Sequence, residues 1–388
     1  MAARTASEQD WLRVADFLGR ARHELGVRAA AGYPAGDRLA GTALIARPAW
    51  RLPGPVPLDR VRLELRPGAP GPDAPDVAAL APYLLPWRAD GRRYHRYSDV
   101  VAALAAPAVF ENRPAYRLIQ ADLAGPGEPR LTFGRCRFFD GIDAGAAAAH
   151  EYAAAVLAGD RAAGDRAAGG GAAADLRSPL RAALGGPAAL DRRAATLAVT
   201  ALTVRLDQAS GTAAFPLHYR DPGRVSHAGG LYQVIPVGVF QPSGEAPWNE
   251  ANDFSLWRGM QREYAEELLG ASEDYGSERA PVDYAAWPLA RAMDDGLASG
   301  RIRAWCLGLG ADPLTFAVDL LAAVVIDAPL YDELFGAAVA ANAEGTVTAP
   351  RPFGAASVAA LLATAPLQAA AAAVLTLAQA HRRTLLAA

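Results

Sequence analysis

The chain has 388 residues, 52% of them apolar and 20% charged, with a net charge of −3. That length predicts two domains with sizeable cores, and the charge balance argues against a general nucleic-acid binder. All 38 basic residues are arginine, which excludes a P-loop lysine, a Schiff-base lysine and a lysine general base.

Residues 7–25 place Trp11, Ala15, Leu18 and Leu25 at helical spacing and predict an amphipathic helix. The N-terminal run lacks the apolar core of a signal peptide. Residues 55–65 predict a strand and 66–76, rich in Pro and Gly, a loop. Residues 116–123 and 130–139 predict a strand pair, and 146–157 a helix. Residues 160–175 are low-complexity and predict a linker between an N-terminal domain (1–159) and a C-terminal one (176–388).

Strands are expected at 196–206, 215–219 and 231–240, a helix at 256–269, and later strands at 302–308 and 319–327. This order predicts an α+β (mixed α/β) fold. The Ala-rich tail, 355–380, is broken by Pro366 and predicts packed helices rather than a membrane span. Cys136 and Cys306 lie far apart, outside any CxxC pair, so a reducing cytoplasm is the expected compartment.

Glu263, Glu266 and Glu267 stand at i, i+3 and i+4, so a helix puts them on one face. Like charges so close repel, and a hard divalent cation such as Mg²⁺ or Mn²⁺ offsets that cost. Arg262 is expected to pair with Glu266 one turn on. The plain alternative is a solvated helical face.

In context, this segment resembles the Nudix hydrolase superfamily. Gly230-Leu231-Tyr232 matches the aromatic "GLW" stretch, Pro236-Val237-Gly238 the Pro-Gly-Gly turn, Glu245 the loop glutamate, and Arg262 to Glu267 the REUXEE helix. Gly238 and Arg262 are 24 positions apart, wider than the family spacing, so residues of the insertion must loop out. The resemblance covers about a third of the chain. The whole chain is also similar to actinobacterial Nudix-like proteins.

The resemblance implies a Nudix-like α/β/α sandwich and metal-dependent cleavage of a phosphoanhydride in a nucleotide-derived substrate. It implies Glu266 and Glu267 as metal ligands, Glu263 as ligand or base, Gly238 as a further ligand at the turn, and Arg262 within the catalytic helix. A ligand sensor without turnover, or a pathway enzyme with non-hydrolytic chemistry, are the other readings.

Residues 110–157 echo 196–267, with Ala154 and Ala155 where the metal pair would stand. The expectation is a degenerate Nudix-like copy, packing as an intramolecular pseudo-dimer, or a homodimer of whole chains. Trp248, Phe254 and Trp257 on the insertion are candidates to stack a base or to pack the loop. Arg113 and Arg220 are candidate substrate contacts. The run 92–97 mixes cations with aromatics and suits a solvated basic turn or a phosphate grip. His218 and His227 lack metal-ligand spacing.

Overall fold

The computed structural model describes residues 4–107, 109–164, 178–221, 229–338, 341 and 345–387. Helix takes 41% and strand 22% of the chain, in sheets with parallel and antiparallel pairs, which makes the fold α+β. The expected linker lies largely outside the described residues, as does His227.

The expected first helix is two, Ala6–Arg20 and Arg22–Ala31. Thr5 starts the first with a capping box to Glu8. The expected strand at 55–65 also divides. Val56–Pro57 (β1) joins one sheet, the single turn Leu58–Arg60 redirects the chain, and Arg62–Leu65 (β2) joins another. Pro114–Asp122 (β3) and Arg130–Arg137 (β4) form the expected hairpin.

Leu197–Asp207 (β5) and Thr212–Phe215 (β6) form a second hairpin. His218–Arg220 (β7), Tyr232–Gln233 (β8) and Val237–Val239 (β9) follow. Ile302–Ala311 (β10) and Val318–Asp327 (β11) are the longest later strands, with Gly345–Val347 (β12) and Arg351–Pro352 (β13) behind them.

The main sheet runs β1-β10-β11-β5-β6-β13, with β9 also on β5. β5 and β11 are parallel, Leu197 facing Val318 and Leu206 facing Asp327. β11 is buried from Val318 to Ile326. From Leu320 to Ile326 the run is wholly apolar, as a parallel strand covered on both faces needs, and Asp319 is the buried charged residue at its start.

Two helix groups cover this sheet. Leu256–Leu269, Pro288–Ala298 and Ala328–Phe335 pack together, and so do Ala355–Thr364, Ala369–Ala380 and Arg382–Leu386. Ala370, Ala371 and Ala373 are buried under the sheet strands, where small side chains permit close approach. Among the described residues no helix is long and apolar enough to cross a membrane.

The two halves share one core. Trp50, Tyr116 and Phe133 from the front half pack with Phe240 and the β5 and β11 side chains, and β1 pairs with β10 through Val56 and Cys306. The strand order also differs between the halves. In the front sheet, β2-β4-β3, the central strand is β4, which leads into helix and carries the parallel neighbour β2. In the main sheet the parallel neighbour lies on β5, and β9, which precedes the motif helix, pairs with β5 antiparallel. Residues 110–157 and 196–267 each hold an antiparallel strand pair followed by a helix, β3–β4 and β5–β9, and the strands outside those ranges, β2 and β11, join different members of the two pairs.

Candidate functional site

The motif helix occupies Leu256–Leu269, as its sequence pattern predicts. Ser255 caps its start by accepting from the Arg258 N–H, and Gly270 ends it in the left-handed region at φ 66°. Met260, Tyr264 and Leu268 face the core, and the Tyr264 hydroxyl lies 2.5 Å from Thr203 Oγ1 on β5. That contact fixes which face of the helix looks outward.

Arg262 does not pair with Glu266. Its guanidinium donates to Tyr284 Oη at 2.5 Å and to the Gln241 carbonyl at 2.6 Å, and lies 3.3 Å from Asp253 Oδ1. Asp253 is fully buried and also accepts from the Ser243 N–H at 2.7 Å and the Tyr284 hydroxyl at 2.8 Å. Helical side chains lean toward the turn N-terminal to their own Cα, which aims Arg262 at the inserted loop. Burial pulls the Arg262 pKa down, but Tyr284 and Asp253 outweigh it and leave it raised.

Glu245, expected as the loop acid, instead pairs with Arg137. Asp253 is the loop carboxylate that reaches the motif arginine. Sequence spacing misled here because the insertion supplies several acids, and only the fold selects among them.

The three motif glutamates divide into two kinds. Glu263 and Glu266 are partly exposed. The Glu263 carboxylate lies so close to Gly238 that a β-carbon there would overlap it and would have to push that flexible side-chain end aside. Glu266 Oε1 accepts from the Tyr275 hydroxyl at 2.7 Å, and the same hydroxyl reaches the Arg262 carbonyl at 3.2 Å. Glu267 is buried. Its oxygens accept from Gln233 Nε2 and the Val237 N–H, each at 3.2 Å, and His218 Nδ1 lies 3.9 Å away.

Among the described residues, no group of three or more His, Cys, Asp or Glu is gathered to cage a metal ion. The donor set still suits a hard cation. Mg²⁺ is typically held by one or two carboxylates, with waters and substrate phosphates completing the shell. Glu263 and Glu266 offer two such carboxylates beside the partly buried backbone at Gly238. Glu267 is engaged with the β8–β9 turn through Gln233 and the Val237 N–H.

Three arginines of the front half reach the segments around the motif helix. Arg135 pairs with Glu250 at 2.8 Å, Arg137 with Glu245, and Arg113 with Glu273 and Glu111. Arg113 is thus committed to carboxylates rather than presented open. Trp248, on the insertion, is 42% exposed, and its Nε1 donates to the Ser277 carbonyl at 2.9 Å; Trp257 lies on the motif helix and ties it to Pro288–Ala298 through Nε1 and Asp294 Oδ1 at 2.8 Å. Phe254 joins Tyr116, Phe133 and Phe240 in an aromatic cluster. Arg220 sits on β7, a strand that pairs with β12 and β8. In the basic run, Arg93 stacks on Trp87 and donates to the Leu85 carbonyl at 2.9 Å. That is a structural turn.

Beyond the helix, residues 271–287 line a cavity of about 490 Å³ that includes Tyr275 and Trp287. Tyr275 therefore borders both this cavity and Glu266. Tyr275, Tyr284 and Asp253 carry no spacing signal in the sequence, and only tertiary contact reveals them. No protein-family model matches the chain, and no curated protein matches it.

Proposed function

We propose that the chain is a Mg²⁺- or Mn²⁺-dependent hydrolase of Nudix type, cleaving a phosphoanhydride in a nucleotide-derived or related phosphorylated metabolite. The observation that carries this reading is the seating of the Glu263 carboxylate on Gly238, with Glu266 one turn along the same helix. A bound divalent ion would neutralise phosphate oxygens and activate water. Tyr275 holds Glu266 in one orientation. Glu267 ties the Val237 N–H to the helix and so keeps Gly238 beside Glu263. The buried Arg262–Asp253–Tyr284 cluster fixes the insertion, and the cavity next to Tyr275 offers room for the remainder of the substrate.

The test is a panel of nucleoside diphosphate derivatives with Mg²⁺ or Mn²⁺, following phosphate-containing products. Turnover that disappears with chelator and in Glu263→Gln and Glu266→Gln supports the reading. Turnover unchanged in both variants overturns it. A ligand sensor without turnover is the second reading, favoured by the engagement of Glu267 and the lack of a three-acid cage among the described residues. Binding of a panel member without any product would select it.

A further inference from the structure

The cavity beside Tyr275 has a lining that selects what can enter it. No cationic side chain borders it, and two carboxylates, Asp274 and Asp283, do. Both residues are exposed, so a ligand in the cavity can reach them. Each is oriented through Oδ1 by its own turn. Asp274 accepts the Gly276 N–H at 2.9 Å, and Asp283 accepts the Ala285 and Ala286 N–H groups at 3.1 and 3.0 Å.

Aromatic surface lies beside these carboxylates. Trp287 and Tyr275 meet edge to face with ring centroids 5.6 Å apart, and both are half-buried. Carboxylates next to aromatic rings favour an ammonium group, by charge and by cation–π attraction. A phosphate or carboxylate would meet like charge there, and an apolar group would gain nothing from the two aspartates. Tyr275 also joins the cavity to the motif helix, because its hydroxyl donates to Glu266 Oε1 at 2.7 Å.

We infer that this cavity takes an ammonium group, which makes the substrate a diphosphate ester of an amino alcohol. The inference rests on the hydrolase reading for the diphosphate, while the preference for a cation belongs to Asp274, Asp283 and the two rings.

The experiment gives the full chain, with Mg²⁺, the choline esters of adenosine diphosphate and cytidine diphosphate. The controls are the neutral isosteres in which carbon replaces the ammonium nitrogen, the 3,3-dimethylbutyl esters, and adenosine diphosphate ribose as a neutral polyol. Affinity is read as a calorimetric Kd where no product forms and as KM where it does. At least one choline ester should bind about fivefold or more tightly than its isostere. Asp274→Asn and Asp283→Asn keep the Oδ1 acceptor of each turn and remove the charge. Each should weaken choline-ester binding by about threefold and leave the isostere unchanged, and thermal melts check that each variant is folded. A preference for the choline ester without any product keeps this inference and removes the hydrolase reading. Turnover with equal KM for ester and isostere does the reverse. The inference is also overturned if no choline ester binds up to roughly 10 mM, if the ribose ester binds more tightly, or if the folded variants keep the full preference.

Discussion

The Glu263 carboxylate occupies the space that a side chain at Gly238 would need. The flexible end of the Glu263 side chain therefore rests against β9 because one position lacks a β-carbon. Gly238→Ala should push the flexible end of Glu263 aside rather than break the helix. Stability should change by less than about 1 kcal/mol, while Mn²⁺ affinity, read by calorimetric titration, should fall. Unchanged affinity would separate Glu263 from any metal site.

The motif glutamates should respond to amide substitution in two ways. Glu263→Gln and Glu266→Gln remove charge at partly exposed positions. Each should lower metal affinity and turnover and change apo stability by less than about 1 kcal/mol, because both positions are partly exposed. Glu267→Gln replaces one of two engaged acceptor oxygens with a donor beside the Val237 N–H or Gln233. It should cost about 1–3 kcal/mol in urea unfolding. Equal stability in all three variants would refute this division.

Arg262 is a buried cation whose partners are Asp253, Tyr284 and the Gln241 carbonyl. Arg262→Met leaves Asp253 buried without its cation and should destabilise by about 3–5 kcal/mol. The double variant with Asp253→Asn should recover part of that loss, because the stranded charge is gone. Urea unfolding of the full cycle measures the coupling. Additive losses would mean that the two residues act separately.

Asp319 gives a pH signature. Burial pushes its carboxyl up to about 7, only partly offset by the Thr200 hydroxyl that donates to it at 2.7 Å. The folded state then binds a proton that the unfolded state, with a pKa of about 3.9, has already lost. Stability from this group is complete below the unfolded value and is lost as pH rises toward 7. His150 runs the other way, because burial pulls its pKa down to about 3 and its contribution is lost as pH falls from about 6.5. The difference between wild type and Asp319→Asn isolates the first effect. That difference in unfolding free energy should shift in favour of the variant from about pH 4 to pH 7, and a flat difference would overturn the assignment.

The sequence by itself determined the local elements. Periodicity set the motif helix at Leu256–Leu269, with Ser255 and Gly270 as its ends, because capping and amphipathic spacing act over a few residues. The same holds for β5, β10, β11 and the β3–β4 hairpin, and for the α+β class. Tertiary structure decided which groups meet. Arg262 had an acidic neighbour one turn away and took Asp253 instead, because the inserted loop folds back over the helix start and encloses that pair away from water. Residues 55–65 read as one strand and serve two sheets, and the two halves close on a single core. Side-chain spacing reports the face a residue occupies along its own element. Which partner covers that face depends on long-range packing, and no local pattern encodes it.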